Sequence, residues 1–306
     1  MSFGYCLTGL WPRRWDRWLM ERRAAWSLRP GNAKIRDLAA LMRRVMGTST
    51  GDRDLIPAAR DHYRMCQETG WTRMRSIHQK GTEAEIEIDG LEHLQRGLAS
   101  GRGVILWGML FCGYTLAKEA LWRAGIRVSH LSREDHSAPS RSWLGLNVAG
   151  RLFRSAETPY LEQRVIIPLD GSLSYLRGLM DLLKSNACVS ITGELKGRQN
   201  VSANVFGWPE AFATGAPGLA WKMESSLLTC YVVREGTLRY RLVIEPPVEP
   251  DRSLGRDEFI RAAVEEFASR LQRHIGDHPG DWDRWGDADI RQRCTGDSRS
   301  AYSASV

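Results

Sequence analysis

Several stretches of the sequence place a carboxylate after a histidine, with four residues between the two. His130 and Asp135 have this spacing, and so do His78 and Glu83. An imidazole oriented by a carboxylate can take the proton of an attacking hydroxyl or amine, so the pair is suited to general-base catalysis. His130 follows a predicted strand at a carboxyl end of the sheet, where open α/β folds bind ligands. We keep His130 and Asp135 as the candidate base and its partner, with a satisfied surface histidine as the more common alternative and His136 as a further candidate.

Cys112 is the one candidate nucleophile between the strand-like run "GVILWGML" and the helix-like run "TLAKEALWRAG". A thiolate at the start of a helix could accept an acyl chain, because a helix N-terminus can lower the pKa of a thiol. A buried, unreactive cysteine is the alternative.

Arg133, Lys196 and Arg198 could form a basic rim for phosphates or for an acidic carrier protein, and Arg141 and Arg151 with them. A solvated loop would explain the same charges.

Composition narrows the class of protein. The chain has 306 residues and a net charge of +7, which favours anionic partners. Its six cysteines include no C-x-x-C pair and no zinc spacing, so we expect a reduced, cytoplasmic protein without a metal. No run approaches the ~20 apolar residues that span a bilayer. The sequence contains no G-x-G-x-x-G, no P-loop and no nucleic-acid-binding module, so we expect no nucleotide cofactor and no nucleic-acid partner.

Hydrophobic patterning divides the chain into three parts. Residues 1–80 read as a helical region, and residues 81–290 alternate strands with helices, which predicts one α/β domain with a largely parallel central sheet. Residues 291–306 are a small-residue tail that we expect to be disordered.

The first helix of the N-terminal region is unusual. Trp11, Trp15 and Trp18 share one helical face, arginines are interleaved with them, and Trp26 follows. Indole rings and arginine side chains favour the interface of an anionic membrane, so a helix lying on a membrane surface is one interpretation. A tryptophan stripe packed on the protein's own core is the other.

Four segments in series resemble one family, the late acyltransferases of lipid A biosynthesis (the lauroyl and myristoyl acyltransferases). They extend from about residue 85 to 286 and read "IEIDGLEHLQRGLASGRGVIL", "VSITGELKGRQN", "VFGWPEAFATGAPGLAWKM" and "HPGDWDRW". The resemblance implies a glycerolipid-acyltransferase-like α/β fold. It also implies transfer of a fatty acyl group from acyl carrier protein to a hydroxyl of a glycolipid, at the cytoplasmic face of the inner membrane.

The catalytic motif of that family, "GHFGNWE", aligns without gaps on "MLFCGYT". Leu110 takes the place of the histidine and Thr115 that of the carboxylate, and neither can act as a base. A register shifted by one residue, which selects Met109 and Tyr114, gives the same outcome. The resemblance therefore implies the fold of the family without its mechanism.

Two further positions follow from the same comparison. Glu194 falls on the aspartate of the family's Pro-Asp-Gln strand end, where it could bond the acceptor or orient a basic residue; a surface glutamate is the alternative. Trp208 stands where the family tends to have arginine, and it could form an apolar wall for an acyl chain or a sugar, or simply pack in the core.

These residues leave two functions open. One is a divergent acyltransferase that takes its acyl group from an acyl-carrier-protein or coenzyme A thioester. A deprotonated amine as acceptor would reduce the need for a base. The other is an inactive relative that binds a lipid or a carrier protein as a scaffold. Both could lie at the inner face of the cytoplasmic membrane.

Overall fold

A seven-stranded sheet forms the centre of the protein. The computed structural model describes residues 12–28, 31–78, 84–133, 154–168 and 172–292. The described residues form nine strands, and all but β6 and β7 belong to this sheet. They are β1 (Glu85–Asp89), β2 (Val104–Gly108), β3 (Val128–Arg133), β4 (Leu161–Ile167), β5 (Cys188–Thr192), β6 (Asn200–Val205), β7 (Trp208–Ala213), β8 (Ser226–Gly236) and β9 (Arg239–Pro247).

The sheet is mostly parallel, as the alternation of strands and helices predicts. Its order is β1-β9-β8-β2-β5-β3-β4, and β8, β2, β5, β3 and β4 all run in one direction. At one edge β9 pairs antiparallel with β8 and parallel with β1. Every residue of β2 is buried, which is typical of a central strand covered on both faces.

Helices cover both faces of this sheet. They are α1 (Asp16–Ser27), α2 (Ala33–Met46), α3 (Ile56–His78), α4 (Leu91–Ala99), α5 (Tyr114–Arg123), α6 (Ser174–Lys184), α7 (Gly215–Met223), α8 (Arg256–Asp277) and α9 (Ala288–Gln292). The N-terminal helices belong to the same core as the sheet, because Leu38 and Met42 of α2 cluster with Ile105 and Trp107 of β2 and Phe267 of α8. The molecule is therefore a single α/β domain.

The hairpin formed by β6 and β7 is an element that the sequence interpretation missed. Phe206 and Gly207 both have a positive φ, of 53° and 80°, so the two strands are joined by a two-residue turn. Phe-Gly is not the Asn-Gly pair that usually marks such a turn, and Pro209 argues against a strand from sequence alone. The pair stands outside the main sheet, where a proline costs fewer hydrogen bonds.

Candidate active site

The turn that follows β2 has the strand–turn–helix form that the sequence predicts. β2 ends at Gly108, and α5 begins at Tyr114 after Gly113, whose left-handed φ of 59° lets the chain change direction. Leu110 lies in the turn and is half-buried, and Thr115 lies in the first turn of α5. The chain thus brings Leu110 and Thr115 to the carboxyl end of the central strand.

Glu194 holds this turn in place. Its Oε1 accepts a 2.6 Å hydrogen bond from the backbone N–H of Leu110, and its Oε2 accepts a 2.7 Å bond from Nε1–H of Trp282. Gly193 makes this reach feasible, because a Cβ there would lie 2.3 Å from the ring of Phe267. Burial raises the pKa of Glu194, although Arg284 and both donors oppose the shift. The alternative of a surface glutamate is wrong.

The segment 281–283 closes the turn from the other side. The backbone N–H of Cys112 donates to the carbonyl of Asp281 at 2.8 Å, and that of Asp283 donates to the carbonyl of Leu110 at 2.8 Å. Phe111 and Trp282 form an antiparallel bridge. Burial raises the pKa of Asp281 to about 7, against the hydrogen bond from the Arg234 amide. Both backbone polar groups of Leu110 are therefore engaged by the protein.

A small cavity adjoins Thr115. Thr72, Arg73 and Ser76 of α3 line one side of it, and Thr115 and Glu119 of α5 line the other. It has room for about one water molecule. Glu119 stands one helical turn after Thr115 and forms a 2.5 Å ion pair with Arg123. A carboxylate is thus present at the site, one turn further along α5 than the family motif would place it.

His130 lies inside a strand rather than at its end. It is the third residue of β3, its relative exposure is 1%, and β5 separates its strand from β2. The predicted placement at the carboxyl end next to the turn is wrong, and so is the alternative of a surface histidine. Asp135 and His136 lie outside the described residues, as does Glu83, so the His130–Asp135 pairing stays a prediction.

Cys112 is buried, and its Sγ donates to the carbonyl of Val232 at 3.5 Å. Burial raises the pKa of this thiol well above its ordinary range, with Asp281 adding to the effect. A thiolate is therefore disfavoured at this position, and the geometry favours the unreactive alternative over the nucleophile.

The candidate rim residues lie at one edge of the sheet. Arg133 ends β3, and Lys196 and Arg198 follow the neighbouring strand β5; all three are exposed. Because β3 and β5 are parallel, their carboxyl ends meet at this edge. Arg141 and Arg151 lie outside the described residues.

Trp208 is half-buried, and its Nε1–H donates to the carbonyl of Val45 at 3.2 Å, which favours a packing role over an exposed wall.

A histidine–carboxylate couple that the sequence interpretation missed lies on the α8 side of the sheet. His274 Nε2 is 2.9 Å from Glu245 Oε1, and the His274 ring stacks on Tyr231 with centroids 3.9 Å apart. The same carboxylate accepts bonds from Thr229 at 2.7 Å and Arg273 at 3.0 Å. The two residues are 29 positions apart, so no local spacing could have revealed the couple. Its carboxylate is already saturated, which indicates a structural cluster.

His62 and Cys66 form a second missed pair, four residues apart on α3. Cys66 Sγ lies 3.5 Å from His62 Nε2, and His62 Nδ1 lies 3.3 Å from the carbonyl of Gly280. Burial lowers the pKa of His62 to about 4 and raises that of Cys66 to about 12. Both groups are therefore neutral at pH 7, and proton transfer from thiol to imidazole is unfavourable.

Lys118 is another titratable group near the turn. Its Nζ lies 3.0 Å from Glu157 Oε2 in a pair whose side chains are both almost fully buried. Arg164 contacts the same carboxylate oxygen at 3.1 Å. Burial lowers the pKa of Lys118, and Glu157 opposes that shift. The pair anchors α5 to the segment that precedes β4.

A metal site is absent from the turn in the part of the chain that the structure describes. No cluster of His, Cys, Asp or Glu side chains there could hold a metal ion. The larger cleft, of about 440 Å³, is lined by Ile126, Arg127, Ala187 and Cys188, among others. These residues lie at the amino ends of β3 and β5, opposite to the turn.

A single mostly parallel sheet, with a strand–turn–helix at the carboxyl end of its central strand, defines an acyltransferase-like α/β protein. The sequence profile described as bacterial lipid A biosynthesis acyltransferase matches residues 9–285. The chain therefore belongs to the bacterial lipid A biosynthesis acyltransferase family, which supports an acyltransferase-type function in general. A search among curated proteins gives no match. Among the described residues, no helix is both long and apolar enough to cross a membrane.

Proposed function

We propose that this protein transfers a fatty acyl group from an acyl-carrier-protein or coenzyme A thioester to an amine or hydroxyl acceptor, without a histidine base in the turn. One observation carries the proposal. The chain belongs to an acyltransferase family, and at the turn after β2 Glu194 bonds the backbone of Leu110, a residue without acid–base chemistry. In the family motif, the histidine would stand at that position.

The chemistry suits an amine acceptor best. A neutral amine attacks the thioester carbonyl, a C–N bond forms, the C–S bond breaks, and the released thiol carries away the proton. General-base catalysis contributes ~10²–10⁴-fold, and an amine that is already deprotonated needs less of it.

An acidic carrier protein is the donor partner that we propose. Arg133, Lys196 and Arg198 are exposed at the edge of the sheet where the turn also lies. Their charge complements an acidic carrier and would speed its association. We place the protein at the inner face of the cytoplasmic membrane, where such thioesters and lipid acceptors meet.

The first experiment measures turnover directly. The full chain is incubated with acyl-carrier protein or acyl-coenzyme A and with panels of amines and alcohols, and thioester loss and acylated product are followed by mass spectrometry. We expect acylated amines to form faster than esters. His130→Ala tests the relocated base, with His78→Ala as its control. Because His130 is buried, circular dichroism must first show that the variant folds, and loss of turnover in this folded variant alone would support the base.

Two observations favour a scaffold function: both backbone polar groups of Leu110 are engaged, and the cavity beside Thr115 is small. Absence of turnover together with retained binding of acyl-carrier protein would support it. The double variant Leu110→His/Thr115→Glu separates the two functions. If the turn keeps a competent geometry, restoring the family pair should raise transfer to hydroxyls by ~100-fold or more. No turnover in either protein would overturn the acyltransferase proposal.

A further inference from the structure

Three tryptophans are exposed on the outward side of α1: Trp18 and Trp26 in the helix and Trp15 just before it. Trp15, Trp18 and Trp26 have relative exposures of 44%, 55% and 72%. Trp18, Arg22 and Trp26 are spaced four residues apart and so lie along one face, with Trp15 one turn before them. The guanidinium of Arg22 lies 5.3 Å from the ring centre of Trp18. The alternative that this stripe packs on the protein's own core is wrong for these three residues; Trp11 lies outside the described residues.

The opposite face of α1 fixes the direction in which the tryptophans point. Asp16 and Met20 are buried there. Asp16 receives hydrogen bonds of 2.6–3.1 Å from Nε and Nη2 of Arg75 on α3, in a pair whose side chains are both 4% exposed. Because removing one partner of such a pair is costly, α1 is held firmly against α3. The buried contacts of α1 therefore hold the tryptophan face towards solvent, and its exposure is not due to fraying of the helix.

The charges around this face are mainly positive. Arg14 and Arg22 are exposed on it, and Arg17 flanks it, paired with Glu85 at 3.1 Å. Glu21 is the exposed acidic side chain of the helix, since Asp16 is turned inward. Indoles favour the boundary between headgroups and acyl chains, and arginines favour anionic headgroups. A convex row of rings on a helix fits a planar surface better than the pocket of a protein partner.

We propose that the face of α1 formed by Trp15, Trp18, Arg22 and Trp26 binds the surface of an anionic lipid bilayer, with the helix axis parallel to the membrane plane. This inference does not depend on acyl transfer. It also orients the molecule, since α3, which binds α1 through Arg75, contributes Thr72 and Ser76 to the cavity beside Thr115.

Vesicle flotation tests the proposal with the full chain. Vesicles of phosphatidylcholine, with and without phosphatidylglycerol, are compared for the natural protein and for the variant Trp15→Ala/Trp18→Ala/Trp26→Ala. We expect the natural protein to partition onto the anionic vesicles and the triple variant to bind about 100-fold more weakly, from the loss of three partly exposed indoles. Arg14→Gln and Arg22→Gln should each weaken binding about 5-fold at low salt, and added salt should reduce this difference.

Trp122→Ala is the matched control. Trp122 is 39% exposed on α5, and the Arg127 guanidinium lies 5.6 Å from its ring centre, so it offers the same chemistry at another place. We expect it to bind vesicles like the natural protein, and circular dichroism should show all variants folded. Equal losses in the control and the triple variant would overturn the proposal, and so would failure of the natural protein to float. If the triple variant lost affinity only for an acidic carrier protein, the face would be a protein site and the lipid proposal wrong.

Discussion

The buried carboxylates of Glu194, which follows β5, and of Glu245, in β9, have surroundings that are opposite in kind. Glu194 receives only neutral donors at hydrogen-bonding distance, the amide of Leu110 and the indole of Trp282. The carboxylate of Glu245 accepts hydrogen bonds from Thr229 and Arg273 and contacts Nε2 of His274. The guanidinium of Arg270 lies 3.8 Å from it. Burial raises the pKa of Glu194. Burial would also raise that of Glu245, but the bonds from His274 and Thr229 and the nearby positive charges hold it below its ordinary value.

This difference bears on whether the histidine–carboxylate couple could supply the base that the alignment with the family motif does not place at the turn. The couple exists where cations stabilise its carboxylate, on the α8 side of the sheet. At the turn, the protein has built a site that disfavours charge: Glu194 and Asp281 both have raised pKa values, and the Cys112 thiol does too. A general base at the turn would therefore have to act from an uncharged form, or the acceptor would have to react with little general-base catalysis.

The sharpest test of the comparison removes one negative charge at each site. Glu245→Gln should lower the free energy of unfolding by ~2–3 kcal/mol at pH 7, because the amide loses the charge-assisted bond from Arg273 and cannot satisfy Thr229 and His274 together. Glu194→Gln should change it by about 1 kcal/mol, since the amide oxygen still accepts one of the two neutral donors. Denaturant unfolding at fixed pH measures both values.

The pH dependence of these variants gives the control. The folded pKa of Glu245 is lowered, so its stabilisation is present above the unfolded pKa of ~4.3 and is lost as pH falls through the folded value. The advantage of the natural protein over Glu245→Gln should therefore shrink on acidification. An advantage over Glu194→Gln that exceeded that over Glu245→Gln at pH 7 would contradict the contrast drawn here.

Asp281 extends the comparison to the segment that closes the turn. Its folded pKa of about 7 lies above its unfolded value, so the folded protein binds a proton that the unfolded chain has released. Stability should fall as pH rises between those two values and level off above the folded one. From pH 5 to pH 8 this loss amounts to ~3 kcal/mol, and Asp281→Asn should abolish it. Exposed Asp181→Asn is the control. Parallel stability–pH curves for Asp281→Asn and the natural protein would refute the assignment.

The sequence predicts the scaffold better than the site, for a physical reason. β2 and α5 follow from apolar periodicity, and the turn between them follows from four motifs in series, because both depend on local spacing. The surroundings of Glu194 do not: its donors come from residues 110 and 282, and long-range contacts of this kind leave no local pattern. His130 shows the limit from the other side. Its spacing to Asp135 suggests a base at a strand end, but the strand continues through Arg133 and buries it.

Cys112 gives the smallest expected effect and the most direct check on what the turn does. Cys112→Ala removes one buried sulfur and a weak bond to Val232, which should cost ~1 kcal/mol of stability. Because the raised pKa of the thiol disfavours the thiolate, acyl transfer by the variant should match that of the natural protein. Cys188→Ala, at the buried start of β5, is the matched control for packing loss.

Mass spectrometry after incubation with an acyl thioester should find no acyl group on Cys112. If turnover fell more than about 10-fold in Cys112→Ala and not in Cys188→Ala, the sulfur would be a nucleophile. The turn would then hold a reactive centre in spite of the low polarity that surrounds it.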